Sequence, residues 1–412
     1  KRCVWETLMM MLEQNPDGVI KADIVVGIPS YNEAPNIAFP TEQAALGLKQ
    51  YFGHMAAVII NSDNNSPDRT AEAFMATDTH GIPKISLSTP EGIKGRGNNF
   101  RNLFKKVIEM DAKALVVVDS DLKSITPMWI KNLGEPLFKD FGFVAPLYMR
   151  HAHDDMFSST IVYPLTRALY GRRVKQPIGG DYGLSRGMIN TLLKSNLWNG
   201  DVAQYGIDIW MTTRAMNEGI PICQAFLARP KMHRVRENVL DPGPLFRQVL
   251  STIFDLMETY RDKWSVTKWS KPTAIFGFGG EEPQLPAPVK INREKLYQRF
   301  KAGFSEYWEI YRSICTTESF QKLREIASLS MEHFEIPEPI WAKIMYDFAL
   351  AFHRKTPARS RVLEVLVPLY IGMVLSFANK TKGMTLPQAD EALEDMCLHY
   401  EQTKPYLIDR WK

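Results

Sequence analysis

Cysteine is scarce in this chain: four residues among 412, at positions 3, 223, 315 and 397, too few and too far apart for a disulfide framework or a Cys-x-x-Cys metal site. They are expected to be free thiols, which suits a reducing cytoplasm. Dense basic runs are also missing. Fifty Lys and Arg stand against 46 Asp and Glu, a net charge of +4, which argues against a nucleic-acid binder whose affinity rests on clustered cations. Long apolar runs are absent as well. The longest uncharged stretch, 365–379, falls short of the roughly 20 residues a membrane span needs and contains Pro368, so no membrane segment is expected. The first residues, KRCVWETLMMMLEQNPDG, carry Glu6 and Glu13 within the apolar stretch and no small-residue cleavage site. An amphipathic helix over 1–20 is the expectation there, rather than a signal peptide. What is present, 45% hydrophobic and 23% charged residues, is the composition of a globular protein with room for two or three domains.

The first 150 residues alternate short β-branched runs with helical patterns, the mark of a mostly parallel sheet flanked by helices, an α/β fold. Strands are expected at 23–28, 55–61, 84–88, 114–119 and 143–147, and helices at 41–52, 67–77, 97–111 and 126–138. Further on, helices are expected at 157–171, 183–195 and 206–218, then an extended stretch at 222–232. Beyond Asp241, apolar residues at i, i+3, i+4 spacing predict helices at 246–260, 292–315, 340–352, 362–378 and 389–400. A Pro- and Gly-rich linker occupies 270–288. These patterns divide the chain into an N-terminal helix (1–20), an α/β catalytic domain (21–240) and a helical C-terminal domain (241–412). Ligands of an open α/β sheet bind beyond the C-terminal ends of its strands.

The loops at that edge hold the candidate chemistry. In VVVDSDLKS, Asp119, Ser120 and Asp121 follow an apolar strand, where two carboxylates can hold Mg²⁺ or Mn²⁺ against a diphosphate. In IPSYNE (28–33), Pro29 stiffens the exit from the first strand and Glu33 is a candidate acceptor for a ribose or base, although a plain surface turn is the stronger reading of these residues taken alone. In INSDNNSPDRT, Ser66 or Asp68 can cap a helix near Pro67, which leaves Asp63 for a nucleotide. EGIKGRGNN (91–99) is a Gly-rich loop with Lys94 and Arg96 as cations; such loops approach phosphates, but the GK[ST] ending of a Walker A sequence is missing. PIGGDYG places Gly179 and Gly180 before Asp181, read as the N-cap of a helix from Tyr182. Asp208 stands among apolar neighbours in YGIDIWMT and needs a partner or a role. His233, in ARPKMHRVRE, is a metal-ligand candidate flanked by Arg234 and Arg236.

In this order the motifs resemble those of nucleotide-sugar glycosyltransferases of the GT-A fold: Pro-x-x-Asn-Glu after the first strand, Asp after the second, Gly-Lys-Gly-type loop, Asp-x-Asp, Gly-Gly-Asp, Gly-Ile-Asp and His-Arg. More narrowly, the chain resembles the retaining mannosylglycerate synthases and glucosyl-3-phosphoglycerate synthases, over about residues 20 to 240. The resemblance implies that Glu33 and Asp63 contact the nucleoside and Lys94 the phosphates, with Pro29, Asp119 and Ser120 in the same nucleotide-sugar site. Asp121 and His233 would hold the divalent metal. Arg150 and Ser158 would meet an acceptor carboxylate beside Gly179 and Gly180, joined by Arg234 and Arg236. Asp208 and Asp119 are the candidate catalytic carboxylates.

The implied reaction moves glucose or mannose from a GDP- or UDP-sugar to a hydroxyl of a small carboxylated acceptor of the glycerate type; a homodimer is expected, with no nucleic-acid or membrane partner. Two departures bear on the acceptor. Asp181 replaces the usual Glu, and Arg236 stands where mannosylglycerate synthases carry Tyr, which favours a more anionic acceptor. The run HAHDD (151–155) is acidic and histidine-rich instead. The alternatives are a sugar nucleotidyltransferase, whose usual G-x-G-T-R loop is absent after Ile28, and a non-enzymatic sugar-nucleotide-binding protein.

Overall fold

A computed structural model describes residues 12–198, 200–233 and 240–411. The chain forms two compact units, one of Lys1–Met149, Ile178–Val235 and Thr273–Pro286, the other of Arg150–Pro177, Arg236–Pro272 and Ala287–Lys412. The boundary expected near residue 240 therefore describes only part of the division, because 150–177 joins the second unit and the 270–288 linker contributes to the first.

The first unit is built on a nine-stranded sheet: β1 (Leu12–Gln14), β2 (Ile24–Ser30), β3 (Ala57–Asp63), β4 (Lys84–Ser88), β5 (Ala114–Val117), β6 (Phe143–Leu147), β7 (Tyr182–Ser185), β8 (Ile222–Phe226) and β9 (Ala274–Phe276), in the order β1-β4-β3-β2-β5-β7-β6-β8-β9. Neighbours pair parallel except at β1 with β4 and at β7 with β5 and β6. The α/β class with a mostly parallel sheet, and the helical C-terminal region, are as expected. Strand alternation explains the layering. Ile24, Val26 and Ile28 join a core with Ala44, Leu48, Trp129 and Ile130, so the helices Ala38–Phe52 and Pro127–Gly134 cover that face. Gly27 faces the other way, where a Cβ would meet Leu103 Cδ1 at 2.8 Å. Its missing side chain lets the helix Arg96–Glu109 lie close against the sheet.

Three local expectations change. Tyr182–Ser185 is a strand and not the start of a helix; the helix begins at Arg186, where Ser185 Oγ accepts from Met188 N–H at 3.2 Å as the N-cap. Leu12–Gln14 is an edge strand where a helix over 1–20 was expected, and residues 1–11 of that expectation lie outside the described residues. Within the linker, Ala274–Phe276 pairs with β8.

The second unit is helical, with Tyr163–Tyr170, Gly243–Thr259, Arg293–Ile314, Thr317–Ser328, Glu338–Arg354, Arg359–Lys380 and Leu386–Arg410 as its main elements. The Arg359–Lys380 helix is long and apolar enough to cross a membrane, but 83% of its apolar window is buried within the structure, as in a core helix. It continues through Pro368 instead of breaking there, and Gly303 makes room for the ring: a Cβ at 303 would lie 2.3 Å from Pro368 Cγ.

Candidate functional site

Seven strands of the sheet run the same way, so the loops after β2, β3, β4, β5, β6 and β8 leave from one edge, and antiparallel β7 begins there. The register Val117↔Tyr182 continues outward to set Asp119 opposite Gly180. Asp119 N–H donates to Asp181 Oδ1 at 2.8 Å, which locks the two turns together. Gly180 has φ +92°, and a Cβ there would lie 2.6 Å from both Asp119 Oδ2 and Lys231 Nζ. Glycine is required at this crossing on both counts.

A buried ionic cluster fills the edge. Arg96, the first residue of its helix, donates from Nη1 to Asp119 Oδ1 (2.6 Å), from Nε to Asp208 Oδ2 (3.0 Å) and from Nη2 to the Gly180 carbonyl (2.8 Å). Lys231 donates to Asp119 Oδ2 (2.7 Å) and the Gly179 carbonyl (2.7 Å), and lies 3.2 Å from Asp181 Oδ2. Tyr148 OH donates to Asp181 and to the Gly179 carbonyl. Burial pushes Asp119 towards the neutral form, but Arg96 and Lys231 outweigh it and hold this carboxyl well below the usual range. For Asp208 and Asp181 burial wins, and both are raised. Asp208, in the first turn of the helix Ile207–Asn217, keeps Oδ1 buried and without a hydrogen-bond partner among the described residues.

Three carboxylates face two cations here, a donor set rich in hard oxygens. Asp121 is 5% exposed in the turn after β5, and His233 follows β8. Lys123 N–H donates to the Met232 carbonyl (2.7 Å), and Met232 N–H to Ser124 Oγ (2.9 Å), so the stretches that carry Asp121 and His233 run side by side. Among the described residues no three His, Cys, Asp or Glu side chains gather as a complete metal site.

The chain is similar to glucosyl-3-phosphoglycerate synthases of known structure. The Mycobacterium tuberculosis enzyme in complex with Mn²⁺, UDP and glucosyl-3-phosphoglycerate aligns at 22% identity and a TM-score of 0.45, covering 57% of this chain and 79% of that one. Its complex with Mg²⁺ and UDP gives 22%, 0.44, 57% and 79%. A further mycobacterial protein gives 22% and 0.44, over 57% and 74%. No family model and no curated protein sequence matches the chain.

Several predicted site residues are placed differently from expectation. Asp63 is not left over by the helix cap: its Oδ1 accepts from Ser30 Oγ (2.8 Å) and Ser66 Oγ (2.6 Å), and its Oδ2 from Ser66 N–H (2.6 Å). At 1% exposure it braces the turn, and the helix begins at Thr70 rather than near Pro67. Glu33 is fully buried and accepts from Asn36 Nδ2 at 2.7 Å within the turn after β2, so the exposed surface turn is not what forms there. Pro29 is a buried strand residue, in register with Ser62, and Ser120 is 6% exposed between the two aspartates. Two glycines of the 91–99 loop, Gly95 and Gly97, serve packing: a Cβ on Gly97 would lie 1.9 Å from the Val202 carbonyl, and Gly97 N–H donates to the Gln204 carbonyl (3.2 Å), which removes it as a phosphate donor. Lys94 remains exposed and donates to Tyr31 OH at 2.7 Å.

Arg150 and Ser158 belong to the second unit, whereas Gly179 and Gly180 belong to the first. Arg150 pairs with Asp155 at 2.5 Å, and Ser158 Oγ is buried without a partner among the described residues. Arg234 and Arg236 lie outside the described residues. Sequence reasoning assigned no role to Lys231 or Tyr148, read Asp181 as a helix cap, and left Arg96 as a loop cation. The available signal was that Lys231 stands two residues before His233 in an extended run.

Proposed function

We propose that this chain is a metal-dependent glycosyltransferase that moves a hexose, glucose or mannose, from a nucleoside diphosphate sugar to a hydroxyl of a small carboxylated acceptor, with retention at the anomeric carbon. The observation that carries the reading is convergence. Segments around Arg96, Asp119, Gly180, Asp208 and Lys231, far apart in sequence, meet at the strand-end edge of a mostly parallel sheet, beside the Asp121 and His233 stretches.

The donor set fits Mg²⁺ or Mn²⁺. Asp121 would supply a carboxylate oxygen and His233 an imidazole nitrogen to such an ion. Bound there, such an ion stabilises charge on the departing diphosphate. Lys94, exposed at the same edge, adds a mobile cation for the phosphates. Arg96 and Lys231 fix Asp119 and the Gly179–Gly180 carbonyls so that the floor of the site does not reorganise during transfer. Asp208 Oδ1 is the acceptor atom the cluster leaves open, suited to orient an acceptor hydroxyl or to face positive charge on the sugar ring. Asp208 is tied to Arg96, which disfavours its use as a covalent nucleophile and favours attack by the acceptor from the side the diphosphate leaves.

The test is a matrix of GDP- and UDP-sugars against D-glycerate, 3-phosphoglycerate and related hydroxy acids with Mg²⁺ or Mn²⁺, scored for nucleoside diphosphate release. Asp121→Ala and His233→Ala should each reduce turnover by about 10²-fold or more, and EDTA should abolish it. Full activity in EDTA overturns the metal role. Pyrophosphate release in place of diphosphate release would make the chain a nucleotidyltransferase.

A further inference from the structure

The HAHDD run has no place in the cluster described above, and its surroundings differ from what its composition suggests. A cavity of about 250 Å³ lies within the helical unit, lined by residues 151–153, Val289, Arg293, residues 381–386 and Ala389. Four of the lining side chains, His151, His153, Arg293 and Lys382, are basic, and no Asp or Glu lines it. Asp155 of the run is engaged with Arg150, and Asp154 is not among the lining residues.

The donors divide into wall and ligand-facing groups. His153 is part of the wall: its Nε2 bonds Thr381 Oγ1 at 2.9 Å, and Thr381 Oγ1 itself donates to the Phe377 carbonyl (2.7 Å). Burial, reinforced by His151 and Arg293, holds the His153 ring below the ordinary histidine range, in keeping with a positive local field. His151 Nδ1 accepts from His153 N–H at 3.1 Å, which makes Nε2 the donor of the neutral ring, and that atom has no partner among the described residues. Arg293 donates from Nη2 to the Ala378 carbonyl (3.2 Å) and keeps donors in reserve. Neither Arg293 nor Lys382 has a carboxylate partner among the described residues. The end of the Leu386–Arg410 helix is not the source of attraction, because Thr385 and Gln388 cap each other there.

We propose that this cavity binds a phosphate group, held by Arg293, Lys382 and His151. A concave space with two cations lacking counter-ions and a free imidazole donor is short of negative charge, and a compact dianion supplies both charge and acceptor oxygens. The site stands independently of the transferase reading, since binding is measured without turnover.

The experiment follows the histidine ring resonances of the full chain by NMR during titration with inorganic phosphate, and His151→Asn assigns the His151 signal. Saturable movement of that signal is expected, with Kd raised about tenfold by Lys382→Gln and again by Arg293→Gln, as suits loss of one charge-assisted hydrogen bond each. Lys382 is exposed, so its substitution leaves the fold intact; Arg293→Lys should retain most of the affinity. A parallel titration with glycerol 3-phosphate separates the two sources: tighter binding than inorganic phosphate supports a phosphomonoester, weaker binding supports free phosphate. The proposal is overturned if the His151 signal does not saturate, if Kd is unchanged in both variants, if acetate binds as tightly, or if Lys94→Gln abolishes the response.

Discussion

Asp119 accepts from Arg96 on one oxygen and from Lys231 on the other, so its loss leaves two cations buried with a depleted partner set. Breaking such a group costs about 3–5 kcal/mol, and Asp119→Asn should lower the unfolding free energy by that amount in urea titrations. The pH dependence has a definite sign. Because the folded carboxyl is held below its ordinary range, the unfolded chain takes up a proton that the folded protein refuses. The contribution of Asp119 is therefore complete above about pH 4 and fades as pH falls further. A difference between wild type and Asp119→Asn that stays constant from about pH 7 to about pH 3 would contradict the pairing. Asp208 behaves oppositely, since burial raises it and the Arg96 cation restrains the rise. If ionised Asp208 supports transfer, the acid limb of kcat lies above the ordinary carboxylate range and moves to still higher pH in Arg96→Gln, while Arg96→Lys restores part of the shift. An acid limb unmoved by Arg96→Gln separates Asp208 from the rate.

At the level of elements, the helix Arg96–Glu109 carries Arg96 into the cluster only because Gly27 and Gly97 let it approach the sheet and the 200–204 segment. Gly97→Ala drives a methyl group against the Val202 carbonyl, a backbone atom that cannot swing aside. A loss of about 1–3 kcal/mol is expected in chemical denaturation, together with weakened turnover as Arg96 is displaced. Gly92→Ala, in the same loop at φ +82° but with open space around it, should cost only the strain of a non-glycine residue, about 1 kcal/mol, and leave turnover intact. Equal effects would deny the packing role. This helix also marks what was legible in the sequence. Its period and the strands beside it follow from apolar spacing, and the 84–88 and 143–147 strands fall where alternation predicts them. β7 was not legible: four residues leading straight into a helix look like the first turn of that helix, and only pairing with β5 and β6 makes them a strand. The same holds for Lys231 and Asp181. A buried ion pair depends on which loops meet, and a charged residue in an extended run carries no mark of its partner. The burial of Asp63 and Glu33 was hidden for a related reason, since the Ser30 and Ser66 contacts to Asp63 and the Asn36 contact to Glu33 exist only once the turns are folded.

At the scale of the whole molecule, composition and hydrophobic period located an α/β part and a helical part, but not the fact that the chain passes back and forth between them. Residues 150–177 belong to the helical unit although they lie between strands of the sheet. Arg167, 1% exposed, donates from Nε to Glu401 at 2.7 Å and also pairs with Glu394; Trp341 Nε1 donates to the Thr160 carbonyl (2.9 Å); Lys404 donates to the Ala168 carbonyl (2.7 Å). A C-terminal fragment of 241–412 would lack Arg167, the partner of buried Glu401, and would leave Lys404 with the Thr267 carbonyl but without that of Ala168, a loss of several kcal/mol against a domain stability of about 5–15 kcal/mol. Such a fragment should express as an unfolded or aggregated chain, with no cooperative thermal transition in circular dichroism. A fusion of 150–177 through a flexible linker to 236–272 and 287–412 should regain a cooperative transition, because it restores Arg167 and the 160 and 168 carbonyls to their partners. Cooperative folding of 241–412 alone would mean that these contacts are dispensable and that the helical unit ends where the sequence pattern places it.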